Sequence, residues 1–265
     1  MTETLAVVGK GGTGKTTFVA LTVKYLREIG LTPILAIDAD PSSNLNMALG
    51  MELGDTVGQI REDTRDQVTG GTFQQGISKP DWFEYQVLNC LVEGDEVDLL
   101  AMGRPEGPGC YCAANHMLRE AIDRLGNNYR SVVIDNEAGM EHISRQTTRD
   151  VDWLFIVTDP SQRGLAAAEH IARLVASLGT RIGRTGLIVN RVAGELPKEF
   201  RERAAALGVP LLGMLPEDPA IGRYDAEGRP LIDLDDSSAI YPAVKALLQT
   251  CLENSFQNEA SPTGR

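Results

Sequence analysis

The stretch Gly9-Lys10-Gly11-Gly12-Thr13-Gly14-Lys15-Thr16-Thr17 joins the apolar run Leu5–Val8 to a helical pattern over Thr16–Ile29. It satisfies G-x-x-x-x-G-K-[ST] between a strand and a helix, the setting in which that motif has a physical meaning. Gly11, Gly12, Thr13 and Gly14 let successive backbone N–H groups wrap a phosphate, and the first turn of the helix adds partial positive charge. Lys15 is spaced to reach the β- and γ-phosphates, Thr16 to ligate Mg²⁺, and Thr17 completes the loop. A chance glycine loop is the alternative, and the flanking strand and helix weigh against it.

Outward from this loop, short apolar runs recur at Ile34–Ile37, Val97–Ala101, Val132–Ile134, Leu154–Val157, Leu187–Val189 and Leu211–Leu215. Their apolar character is mostly continuous rather than alternating, as in strands covered on both faces. Helical patterns lie between them, at Ala113–Leu125 and Leu165–Leu178 besides the first. The alternation predicts an α/β fold: a doubly wound, mostly parallel seven-stranded sheet with helices on both faces. One domain is expected over residues 1–253, with a frayed tail over 254–265 and an irregular polar excursion from Glu52 to Lys79. The chain has 265 residues, of which 42% are hydrophobic, enough for a sizeable core. Its formal charge of −12, from 37 acidic against 25 basic residues, disfavours nucleic acid and anionic lipid as partners. Four cysteines make no disulfide scaffold, no run is long enough to span a membrane, and the N-terminus lacks a basic leader. A cytoplasmic location is expected.

Two further runs end on carboxylates. Ile34–Ile37 leads into Asp38, Ala39, Asp40 and Pro41, a spacing that suits a magnesium shell and a water-positioning base. A capped turn is the alternative, since Ser42-Ser43-Asn44 follows. Val132–Ile134 closes on Asp135, placed to hold Mg²⁺ through water or simply to cap the next element. After it, Gly139 would let a switch segment move on loss of the γ-phosphate. Asn190-Arg191-Val192-Ala193 follows the sixth run, and an asparagine amide offers both donor and acceptor to an adenine edge. Guanine readers resemble N-K-x-D; Ala193 stands at the fourth position here, so ATP is expected over GTP. Pro216 and Asp218 follow the seventh run, where a base pocket would close. An ordinary turn is the alternative for Asn190.

Lys10 is not needed in a simple phosphate loop. The K-G-G-x-G-K-[ST] form resembles the deviant Walker A motif of the MinD/ParA/nitrogenase-iron-protein group of ATPases. That resemblance implies that Lys10 reaches across a nucleotide-sandwich homodimer, that Asp40 orients the attacking water, and that Asp38 lies in the outer shell of the magnesium. A solvated surface lysine is the bland reading of Lys10.

Gly109-Cys110-Tyr111-Cys112 precedes the helical pattern at Ala113. Two thiols one residue apart supply two ligands, and a two-fold dimer would supply four, suiting Zn²⁺ or Ni²⁺. Inert packing or a redox pair is the competing reading. Gly107–Cys112 and Asp135-Asn136-Glu137-Ala138-Gly139-Met140-Glu141-His142 are similar to the CooC-type nickel ATPases, and the resemblance runs from Leu5 to about Leu252. It implies an ATP-controlled dimer that binds nickel at paired Cys110 and Cys112 and supports its insertion into carbon monoxide dehydrogenase. A nitrogenase-type cluster is disfavoured because Met140 and Glu141 stand where a cysteine would be needed. A positioning ATPase of the ParA/MinD kind and an iron–sulfur redox ATPase are the rivals. The stripe Val244, Leu247, Leu248, Cys251 and Leu252 has almost no cation beside Lys245, so this helix is expected to dock on the sheet and not on a membrane. His116 and His142 are candidate accessory ligands, and Cys90 and Cys251 are read as core.

Overall fold

The computed structural model describes residues 2–60, 78–103, 120, 122–136, 150–177 and 181–259. In chain order these form β1 (Glu3–Gly9), α1 (Lys15–Glu28), β2 (Ile34–Ala39), the short α2 (Leu45–Leu49), α3 (Lys79–Asn89), β3 (Val97–Ala101) and β4 (Ser131–Asn136). They continue with β5 (Asp150–Thr158), α4 (Gln162–Ser177), β6 (Arg181–Val192), α5 (Lys198–Ala205), β7 (Leu211–Pro216), α6 (Pro219–Glu227), a 3-10 turn at Leu231–Asp233 and α7 (Ile240–Glu259). The strands make one sheet in the order β3-β2-β4-β1-β5-β6-β7. Every pairing between them is parallel. Each of the seven apolar runs is therefore a strand, and the doubly wound architecture stands as expected.

Continuous apolar character follows from two separate cores. Leu5, Val7, Ile34, Ala36, Val133, Phe155 and Val157 face a layer built from α1, α2 and α7. Their alternates Ala6, Val8, Leu35, Ile37, Ile134, Leu154 and Ile156 face the opposite layer, with Leu165, Ala168 and Ile171 of α4 and Phe200 and Ala204 of α5. Successive side chains of a strand point to opposite faces, so a strand covered on both sides must be apolar at every position.

The stripe on α7 is buried: Val244 and Leu248 are 0% exposed, and Leu247, Cys251 and Leu252 belong to the same core. It packs on α1 and β7, and Lys245 reaches across to the Glu28 carboxylate at 2.8 Å. The backbone of α7 stays helical to Glu259, past the expected boundary at 253. Residues 57–60 are helical, with Val57 and Ile60 buried, inside the stretch read as irregular. Among the described residues no helix is long and apolar enough to cross a membrane.

Strand order places the chemistry. The chain builds from β1 toward one edge through β2 and β3, then toward the other through β5, β6 and β7. The loop after β1 thus opens at the point where the order reverses, where a crevice forms outside the carboxyl ends of the strands.

Candidate active site

Gly9 ends β1 against β5, and a Cβ there would run into the Val157 carbonyl. The loop then closes on itself: Thr13 donates from its backbone N–H and its Oγ1 to the Lys10 carbonyl, at 3.3 and 2.8 Å. Gly14 starts α1 with φ 91°, in the left-handed region, and a Cβ there would strike the Asn190 amide. No side chain caps α1, so the N–H groups of its first turn are left for an anion. Lys15 is buried at the head of the helix, while Lys10, Gly11 and Gly12 are exposed.

The carboxylates stand beside this loop. Thr16 Oγ1 donates to Asp135 Oδ2 at 2.6 Å, and the other Asp135 oxygen is buried with no partner. Burial pushes the Asp135 carboxyl up to about 7, against the Thr16 hydrogen bond and with Asp38 and Asp40 adding to the rise and Lys15 opposing it. Asp38 is level with Asp135 on the neighbouring strand and is equally buried. Its Oδ1 accepts the Asp40 N–H at 3.0 Å and its Oδ2 the Leu45 N–H at 2.9 Å. Burial still raises its pKa. Asp40 is half-buried, and its Oδ1 accepts the Ser42 N–H at 2.9 Å. A hydroxyl and an orphaned carboxylate oxygen, all-oxygen donors beside a phosphate loop, fit a hard divalent cation such as Mg²⁺.

On the far side of the loop, Asn190 is 3% exposed and its Nδ2 donates to the Thr13 carbonyl at 2.9 Å. Its Oδ1 accepts the Arg191 N–H at 2.9 Å. Arg191 is exposed and takes φ 58°, in the left-handed region. Asp218 has its oxygens on the Ala220 and Ile240 N–H groups, at 2.8 and 3.1 Å, so it caps α6 and ties down the start of α7. Burial works against its charge, but these backbone donors outweigh it and hold the carboxyl below its ordinary value. Pro216 ends β7.

The structure thus brings together the phosphate loop, Asp38, Asp40, Asp135 and Asn190. Two residues of the site are given no role of their own by the sequence. Asn136 is fully buried and donates from Nδ2 to the Val7 carbonyl at 3.1 Å, tying β4 to β1 just below the loop. Ser43 takes φ 45° in the turn after Asp40. The signal for Asn136 is its place beside Asp135 at a strand end; Ser43 has none. Cys110, Cys112, His116, Gly139, Met140, Glu141 and His142 lie outside the described residues.

Residues 5–231 match the family described as the CobQ/CobB/MinD/ParA nucleotide binding domain. An uncharacterised ATP-binding protein of Methanocaldococcus jannaschii is 41% identical over 252 residues, covering 95% of this chain and 99% of its own. The carbon monoxide dehydrogenase accessory protein CooC of Rhodospirillum rubrum is 34% identical over 262 residues, covering 94% of this chain and 96% of its own. Among solved structures, the septum site-determining protein MinD of Pyrococcus horikoshii, complexed with Mg-ADP, superimposes with a TM-score of 0.67 at 24% identity, covering 96% of this chain and 98% of that one. With the loop, its uncapped helix and the Thr16–Asp135 pair in place, the chain belongs to the CobQ/CobB/MinD/ParA family and is an ATPase.

Proposed function

We propose that this ATPase is a homodimeric metallochaperone that takes nickel at Cys110 and Cys112 of both subunits and supports its insertion into carbon monoxide dehydrogenase or a related nickel–iron–sulfur enzyme. The observation that carries the reading is the Cys110-Tyr111-Cys112 motif in a chain 34% identical, almost end to end, to a carbon monoxide dehydrogenase accessory protein. The docked α7 supports it further, since the stripe Val244, Leu247, Leu248, Cys251 and Leu252 is spent on the core and not on a lipid surface.

The site's own residues divide the work. Lys15 and the loop N–H groups cradle the β- and γ-phosphates, and Asn190, Arg191 and Pro216 border the base. Thr16 and the open oxygen of Asp135 would hold Mg²⁺, which supplies charge neutralisation on the phosphates. Asp40, half-buried in its turn, orients the water that attacks the γ-phosphorus, and ADP leaves with the bond's electron pair. Lys10 is exposed at the lip of the loop and compensates charge on the partner subunit's nucleotide. Loss of the γ-phosphate then loosens both the dimer and the four-thiolate cage between the subunits.

The test is metal stoichiometry by elemental analysis after anaerobic nickel loading. Wild type is expected to hold about one nickel per two chains, as four thiolates from two copies of one motif require. The double variant Cys110→Ser/Cys112→Ser should hold none. Nickel retained equally by the variant, or absent from both proteins, overturns the cargo assignment and leaves the ATPase.

A further inference from the structure

Asp38 and Asp135 end neighbouring strands in register, yet their carboxylates are used in opposite ways. Asp135 keeps one buried oxygen without a partner. Asp38 gives one oxygen to the Asp40 N–H and the other to the Leu45 N–H, with the Asn44 N–H adding to the same pull. The backbone from 40 to 45 is therefore wrapped around the Asp38 carboxylate, a concave array of N–H groups closed on an anion the chain itself provides. Within that wrap, Ser43 N–H donates to the Asp40 carbonyl at 3.0 Å. Closing it forces Ser43 into the left-handed region at φ 45°, which a residue with a Cβ adopts at a cost. The Ser43 hydroxyl does nothing to offset this, because it is buried with no hydrogen-bond partner. What holds the strained turn is the pair of charge-assisted bonds to Asp38.

We infer that Asp38 is a positioning residue of the hydrolytic step: it holds the 40–45 turn, and so the Asp40 carboxylate, in place, and does not serve as a magnesium ligand. The inference rests on the reading of Asp40 as the group that orients water. Removing the Asp38 charge lets the turn open, so Asp40 spends less time where water needs it, while the Thr16–Asp135 hydrogen bond does not depend on the turn.

Steady-state ATPase kinetics of the full chain test this with Asp38→Asn, Asp40→Asn, Ser43→Gly and the double variant Asp38→Asn/Ser43→Gly. Asp38→Asn is expected to lower kcat by about 10²-fold, the size of a small misplacement of a reacting group. KM for ATP and the magnesium concentration for half-maximal rate should not rise by more than about twofold, because no group that binds nucleotide or metal in this reading is removed. Glycine removes the left-handed penalty, so adding Ser43→Gly to Asp38→Asn should recover about tenfold in kcat. A parallel rise in the magnesium requirement with no recovery from Ser43→Gly makes Asp38 a metal ligand and overturns the inference. Unchanged kcat in Asp38→Asn, with activity lost in Asp40→Asn, overturns it alone. Full activity in Asp40→Asn removes the water-positioning reading, and this inference with it.

Discussion

Asn190 shows how much of a nucleotide site is spent on holding its own loop. Its amide donates to the Thr13 carbonyl and accepts from the Arg191 N–H, so each end of the side chain already has a protein partner. Thr13 is fully buried, and without Asn190 its carbonyl would lose that bond away from water. Asn190→Ala is expected to cost about 1–3 kcal/mol of stability, the usual penalty for a buried polar group left unmade. Asn190→Asp should cost more despite its matching shape, because it sets a buried carboxylate against a carbonyl. Urea midpoints of the three proteins check the order, and an Asp variant as stable as wild type would show that the contact holds nothing. The phosphate loop itself is legible from sequence because its glycines and lysine are contiguous and each does a local job. The clamp is not, since it joins residues 177 apart, and only the placement of β6 next to β5, one strand over from β1, brings them together.

At the scale of elements, strands are the legible part and short helices the illegible one. A strand with a core on each side must be apolar throughout, so β1, β2, β4 and β5 stand out, and the edge strand β7 is as apolar although only its Leu215 is buried. By contrast α5 buries only Phe200 and Ala204, one turn apart, which is too little to make a period. Asp218 shows the same limit from the other side. Its position after β7 suggests a base pocket, whereas its neighbours Pro219 and Ala220 start a helix that needs a cap. In the structure it caps α6 and also accepts from Ile240 at the head of α7. Asp218→Ala is expected to cost about 1 kcal/mol at neutral pH, the typical loss of an N-cap. The sign of its pH dependence follows from a folded pKa lowered below the ordinary 3.8. The contribution is whole above 3.8 and is lost as pH falls through the lower folded value, where the folded-state carboxylate takes up its proton. The gap in urea midpoint between wild type and variant should therefore hold from neutral pH down to the ordinary carboxylate range and close below it. A gap that widens in acid would assign the stabilisation to some other group.

For the whole molecule, charge sets the terms of the proposed dimer. Each chain carries a formal −12, so two copies repel at long range before any contact forms, and bound nucleotide adds to the repulsion. Association then needs cations placed where the negative charge is densest. Lys10 is exposed at the lip of the phosphate loop, whereas Lys15 is buried and, in the proposed cycle, serves its own subunit's phosphates. The two lysines of one motif are thus available to different nucleotides. In sedimentation velocity, a nonhydrolysable ATP analogue with magnesium should shift the wild-type chain toward dimer, and ADP should not. Lys10→Ala should abolish the shift while leaving the monomer's affinity for nucleotide within about twofold, since an interaction made only across the interface is absent from the monomer. Raising salt from low to moderate levels should increase the dimer fraction of wild type, because screening weakens long-range repulsion more than it weakens a lysine–phosphate contact shielded from solvent. Equal dimer fractions with ADP and the ATP analogue would separate dimerisation from the γ-phosphate and remove Lys10 from the cycle. A shift that survives Lys10→Ala would place the compensating charge elsewhere on the chain.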